Sequence, residues 1–386
     1  MAKKVKSGAL IGAAIFGLIV GGALGGAGAF VMSPKPDSYE IPATEKAHNP
    51  KPATIGEDFN VETIKAEDFS IHFMELGNKY TGDSTLVKAG DVEVLIDAGS
   101  RVSSVDTIHQ YASQYVKDKL DYIVVTHAHE DHYAGFATNK YEDSIFAKFD
   151  VGVGTTIIDF AKITTKKATN KMYQNYQANL NTAITNGALH YTCAELVDEG
   201  NQVINLSPKV KMEILKTKYY YEVSNTENNH SVCTLFSCGT LHYLLTGDLE
   251  ASGEESLVTL NTLPQVELYK AGHHGSKTSS TKKLMDVIKP KVISVCCCAG
   301  SSEYTKTDAN QFPTQVFINN VAAHTDKVFV TTQCVDYDKG LFAPMNGTII
   351  ACQKQADEQA TIYCTNNTTI LKDSDWFKAH RTWPDS

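Results

Sequence analysis

The run Thr126-His127-Ala128-His129-Glu130-Asp131-His132-Tyr133-Ala134-Gly135 follows directly on the apolar stretch Tyr122-Ile123-Val124-Val125. Three histidines and an aspartate fall within the six positions 127–132. Histidines at i and i+2 project to the same side of an extended segment, so His127 and His129 can grip one ion. Once the chain turns, Asp131 and His132 can face a second. Imidazole and carboxylate are zinc-type ligands, and a set of three or fewer per ion leaves room for water and substrate. The competing reading, a polar loop that is merely rich in histidine, has to explain four potential ligands at one strand end.

Other segments offer the same chemistry. Thr246-Gly247-Asp248 closes a second apolar run, Leu241 to Leu245. Lys270-Ala271-Gly272-His273-His274-Gly275-Ser276 places two histidines side by side, and no regular backbone points both the same way. Asn228-Asn229-His230-Ser231 lies between these regions, while Gly82-Asp83-Ser84 and Leu95-Ile96-Asp97-Ala98-Gly99 precede the first histidine cluster. Asp97 and Asp83 each read either as a carboxylate that accepts an N–H from a ligating imidazole or as a turn former. Ser276 reads equally as a substrate contact or a helix cap.

Taken together, these motifs resemble the metallo-β-lactamase-fold hydrolases, from about Ser70 to about Lys354. Within them the His-His-Gly-Ser and Asn-Asn-x-Ser elements resemble the branch that holds the hydrolase domain of ComEC-type DNA-uptake proteins and the bacterial phosphorylcholine esterases. The resemblance implies an α/β fold, a four-layer αββα sandwich of two sheets covered by helices. It implies two divalent metal ions, Zn2+ or Mn2+, with His127, His129 and Asp248 on one, and Asp131, His132, Asp248 and His274 on the other. In that scheme Asp248 bridges, Asp131 also orients a hydroxide held between the ions, and His273 faces the phosphate or leaving group. Most relatives supply a further histidine to the first ion, and here only Asn229, His230 and Ser231 stand near the expected place, as metal or substrate contacts. Thioesterase and β-lactamase branches keep that histidine in a Gly-His-Thr-type turn, which this chain lacks.

The reaction so implied is metal-dependent hydrolysis of a phosphodiester in a cell-surface polymer, a lipid headgroup or DNA. Its alternatives are a ComEC-like nuclease, a lactone or amide hydrolase, and a binding domain without catalysis. A formal net charge of −9 argues against a general nucleic-acid coat.

No charged residue occurs from Gly8 to Met32. As a helix rising ~1.5 Å per residue, that stretch spans the ~30 Å hydrocarbon core of a bilayer. Lys3, Lys4 and Lys6 before it favour a cytoplasmic N-terminus and an extracytoplasmic remainder. The rival is a cleaved signal with a processing site at Ala27-Gly28-Ala29. The chain therefore divides into a membrane segment at 1–32, a proline-containing linker at 33–61 and a hydrolase domain at 62–386. Nine cysteines sit awkwardly with export, unless most are buried and behave as small apolar residues.

Strands are expected at 71–76, 84–88, 92–96, 122–126, 210–215, 232–237, 241–245, 266–269, 292–295, 327–331 and 347–352. Helices are expected at 103–118, 170–188 and 282–288, the last stopped by Pro290. The two final strands read as the close of the second half. A basic run, Lys162, Lys166 and Lys167, reads as a polyanion contact or as a solvated face.

Overall fold

The computed structural model describes residues 54–56 and 59–385. The membrane segment and most of the linker lie outside the described residues. Among the described residues no helix is long and apolar enough to cross a membrane.

Two sheets carry the fold. The first has nine strands in the order Thr54–Ile55, Thr361–Cys364, Ile349–Gln353, Phe69–Phe73, Thr85–Ala89, Val92–Ile96, Tyr122–Val124, Thr156–Asp159 and Leu189–Thr192. The second has eight, in the order Leu341–Pro344, Val328–Asp336, Val292–Ala299, Leu268–Lys270, Leu241–Leu245, Cys233–Cys238, Val210–Leu215 and Val203–Asn205. Each combines antiparallel strands with a parallel stretch, and in the first sheet that stretch runs from Val92–Ile96 to Leu189–Thr192. Tyr122–Val124 lies inside it, fully buried, which is why its sequence is continuously apolar rather than alternating.

Phe69 of the first sheet packs on Phe236 and Tyr243 of the second, with ring centroids 6.1 and 4.7 Å away. Helices Ala251–Leu260, Lys282–Ile288 and Gln315–Val321 bury Leu257, Leu284, Ile288, Phe317 and Val321 against Tyr269, Ile293 and Val328 of the second sheet. On the first, Tyr176 of helix Lys171–Thr185 sits among Tyr133, Phe146 and Phe160.

Several expectations are corrected. Ile349–Gln353 does not close the second half: it pairs with Phe69–Phe73 and returns the chain to the first sheet. The helix expected at 103–118 is a short 3-10 turn, Val102–Ser104, followed by Val105–Ala112. Tyr115 and Val116 both donate to the carbonyl of Ala112, which tightens the chain out of the helix, and the Tyr115 ring packs on His72. Strand Thr54–Ile55 lies in the region read as linker and pairs with Thr361–Cys364. Eight of the nine cysteines are buried, with Cys334 half-buried, and none of them is paired as a disulfide.

Phe69→Ala removes a fully buried ring at the junction of the sheets. It is expected to lower the unfolding free energy by ~3–5 kcal/mol in a denaturant titration; a loss under ~1 kcal/mol would show that the sheets do not depend on this contact.

Candidate metal centre

The site gathers at the carboxyl ends of parallel strands from both sheets, where loops leave a sheet and side chains can converge. Asp97 follows Val92–Ile96, the histidine loop follows Tyr122–Val124, Asp248 follows Leu241–Leu245, and His273 and His274 follow Leu268–Lys270. Local backbone makes the convergence possible. Asp97, His273 and His274 hold φ of 59°, 45° and 56°, the left-handed region that non-glycine residues seldom occupy outside constrained sites. Gly99 is required by close approach, since a Cβ there would lie 1.6 Å from the carbonyl oxygen of Asp131.

Asp83, His132, Asp248 and His274 form the tightest group, all four buried, with one potential ligand atom from each lying within 4.8 Å of the others. His132 Nε2 lies 3.1 Å from Asp248 Oδ2 and 3.3 Å from His274 Nε2. His274 Nε2 lies 3.2 Å from Asp248 Oδ2 and 3.4 Å from Asp131 Oδ2. Their far nitrogens are committed: His132 Nδ1 to Asp97 Oδ2 at 2.7 Å, and His274 Nδ1 to the carbonyl of Cys296 at 2.8 Å. Such partners aim Nε2 at a common point. His127 Nε2 and His129 Nδ1 face each other at 3.0 Å beside this group.

A divalent cation fits these donors. Buried imidazoles and carboxylates converge there, and Asp248 Oδ1 has no hydrogen-bond partner despite burial. Asp83 lies on the Nδ1 side of both imidazoles, 3.3 Å from His274 Nδ1 and 3.7 Å from His132 Nδ1, as a carboxylate behind ligating histidines would. His127, His129, Asp131, His132, Asp248 and His274 all line or adjoin the group. His230 does not: its Nε2 accepts from the Ser224 N–H at 2.9 Å and its Nδ1 faces Glu227 Oε2 at 3.4 Å, away from the cluster. Asn229 is likewise directed away from the cluster, buried and bonded to Glu250, Ser224 and Ser252. Ser231 Oγ accepts from the Asp248 N–H at 3.0 Å and lies 3.4 Å from His127 Nδ1, so it positions ligands.

A cavity of about 440 Å³ opens over the group, lined in part by His129, Asp131, Asp248 and His273. Arg101 and Tyr304 also line it, and neither was singled out in the sequence. Arg101 binds Glu303 at 2.5 Å and Glu130 at 3.5 Å, while Tyr304 donates to Asp131 Oδ2 at 2.7 Å. No spacing rule reaches Tyr304, which arrives from a loop after Val292–Ala299. Lys270 had a visible signal, its place before the paired histidines. It is buried, with its ammonium against Asp83 and 3.7 Å from Asp248 Oδ1.

The sequence profile described as the metallo-beta-lactamase superfamily matches residues 77–138. The stretch that carries the histidine loop matches that superfamily. Competence protein ComA of Neisseria gonorrhoeae is 36% identical over 114 residues, 28% of this chain and 15% of that protein. ComE operon protein 3 of Bacillus subtilis is 29% identical over 108 residues, 28% of this chain and 13% of that protein. Recombination protein 2 of Haemophilus influenzae is 39% identical over 70 residues, 18% and 9% of the two chains. The chain thus matches only a small part of the length of these relatives. Among solved structures, the metallo-β-lactamase-fold protein YhfI from Bacillus subtilis aligns over 68% of this chain and 96% of its own, at 12% identity and a TM-score of 0.41. The resemblance of the histidine-loop region to this superfamily and to stretches of ComE-type competence proteins therefore holds.

Electrostatics in this site follow from burial against many carboxylates. Burial pushes the His132 pKa down, but Asp248, Asp97 and Asp83 outweigh it and raise it to about 10. His274 is raised in the same way, against burial, by Asp248 and Asp83. Burial lowers His127 and His129, which stay neutral and able to ligate. The upward shifts on His132 and His274 favour protons there, which offset part of the neighbouring carboxylate charge. A raised pKa stabilises the fold fully below the ordinary 6.5 and loses that contribution as pH climbs toward about 10. Chelator-treated protein is therefore expected to lose thermal stability across that window, and added zinc or manganese to flatten the slope; a slope that persists in His132→Gln and His274→Gln would assign it to other groups. Asp97→Asn should weaken metal binding by ~10–100-fold in a competition titration, because His132 loses the acceptor that orients it.

Proposed function

We propose that the chain is a phosphodiesterase that works with two divalent ions, zinc or manganese, and that its catalytic part is tethered outside the cytoplasm by the segment 8–32. The observation that carries this reading is the state of His273. Its Nδ1 lies 2.9 Å from Thr278 Oγ1, 3.5 Å from Asn228 Nδ2 and 3.8 Å from Glu250 Oε1, and we read Nδ1 as the acceptor of the Asn228 amide, with the proton on Nε2. Burial lowers its pKa, which keeps the ring neutral. Its Nε2 is 4.0 Å from Asp248 Oδ2 and the residue lines the cavity. His273 therefore offers a neutral N–H donor beside the cluster, suited to a phosphoryl or departing oxygen.

The other residues divide the remaining work. His127, His129 and Asp248 would hold one ion, and Asp131, His132, Asp248 and His274 the other, with Asp83 adjoining. When bound, such ions supply a water of lowered pKa and neutralise charge at phosphorus. Tyr304 fixes one oxygen of Asp131, leaving the other to orient the attacking water. The relatives named for competence and recombination favour a DNA strand over a surface polymer or lipid headgroup as the phosphodiester.

The test uses the chain with zinc or manganese and bis(p-nitrophenyl) phosphate. Asp248→Asn should cost at least about 100-fold in kcat and lose bound metal. His273→Gln should lower kcat with metal content intact, since it donates without ligating. If the metal-loaded wild type turns over lactones or amides but no phosphodiester, the reading is wrong.

A further inference from the structure

The basic run of the sequence sends one member into the cleft. Lys167 lines the cavity over the metal group and is half-buried, whereas Lys166 beside it is exposed. Its loop is pinned: the N–H of Thr164 donates to Glu227 Oε1 at 2.9 Å, the Thr164 hydroxyl binds the same oxygen, and His230 faces the other oxygen of Glu227. His230, unused by the metal group, thus helps fix the loop that presents Lys167.

Each carboxylate near Lys167 is already engaged elsewhere. Glu227 serves Thr164 and His230, Asp131 receives Tyr304, and Glu130 faces Arg101. Arg101, the other cation of the cleft, is spent on Glu303 and Glu130. Among the described residues no carboxylate lies within ion-pair distance of the Lys167 ammonium. Asn170, next along the same wall, uses its side-chain oxygen to cap helix Lys171–Thr185 through Met172 and Tyr173. That leaves Asn170 its neutral amide N–H donors, and the positive charge this wall offers an anion comes from Lys167.

We propose that Lys167 selects substrates with a second phosphate next to the scissile one, by binding that flanking phosphate. The inference rests on the phosphodiesterase reading. The scissile group belongs with His273 and the metal group, while Lys167 lines the same cavity without an ion pair to Asp131 or Asp248, which leaves its charge open to a phosphate beside the scissile one. A flanking phosphate occurs in a nucleic-acid strand and in a glycerol-phosphate polymer alike.

The experiment compares the full chain with Lys167→Met and Lys167→Arg on three substrates: bis(p-nitrophenyl) phosphate, a short oligothymidylate and a glycerol-phosphate oligomer. Lys167→Met should lower the kcat/KM ratio of oligomer to single diester by ~10-fold through KM, the value of one lost charge-assisted bond, and Lys167→Arg should restore it. A drop confined to the thymidylate identifies a nucleic-acid strand, and a drop confined to the glycerol phosphate a surface polymer; either supports the proposal. An unchanged ratio overturns it, whether both substrates fall equally, as for a contact to the scissile group, or neither does, as for a solvated lysine. Wild-type protein inactive on every diester would instead defeat the phosphodiesterase reading and this inference with it.

Discussion

Three groups converge on the buried carboxylate of Asp97: the N–H of Thr126 at 2.8 Å, the hydroxyl of Thr126 at 2.7 Å and Nδ1 of His132 at 2.7 Å. This knot ties the end of strand Val92–Ile96 to the loop that leaves Tyr122–Val124, two parallel neighbours in the first sheet. Everything downstream takes its position from it. With Thr126 fixed, His127 and His129 are aimed; with Nδ1 of His132 held, its Nε2 must point at Asp248 and His274, which come from the other sheet. Asp97 adopts a left-handed backbone to do this, and Gly99 lets the Asp131 carbonyl lie against the chain just beyond. The strain is tolerable because the sheets on either side over-determine the loop.

The histidine loop and the strand before it were legible in the sequence because their chemistry is local: ligands at i and i+2 after a buried parallel strand leave a pattern that survives without neighbours. Asp248, His273 and His274 were legible for the same reason, each closing an apolar run. The return of Ile349–Gln353 to the first sheet left no trace in its own residues, since a buried apolar strand reads alike in either sheet and only pairing decides. His230 misled because composition says nothing of direction; its imidazole is consumed by Ser224 and Glu227. Tyr304 could not be found at all, since its contact with Asp131 crosses from one sheet to the other through an irregular loop.

The two sheets divide the site unevenly. The first supplies the rigid loop with its own internal hydrogen bonds, while the second brings Asp248 and the paired histidines, whose backbones depend on contacts made after the sheets meet. Ser231 bridges these contributions, touching both the Asp248 amide and His127. Residues that looked like ligand candidates in the Asn-Asn-x-Ser turn are thus fasteners, and the turn serves the site by holding it closed around what the strands present.

Charge explains why Lys270 is buried here. Asp83, Asp97, Asp131 and Asp248 are all at most slightly exposed, and so many carboxylates cannot share a dry site without positive charge. Lys270 supplies a permanent share, placed against Asp83 and near Asp248. The remainder must come from protons on His132 and His274 or from divalent cations. Protons satisfy the charge but occupy the Nε2 atoms that a metal needs, so the two are exclusive, and metal binding to these residues must release protons.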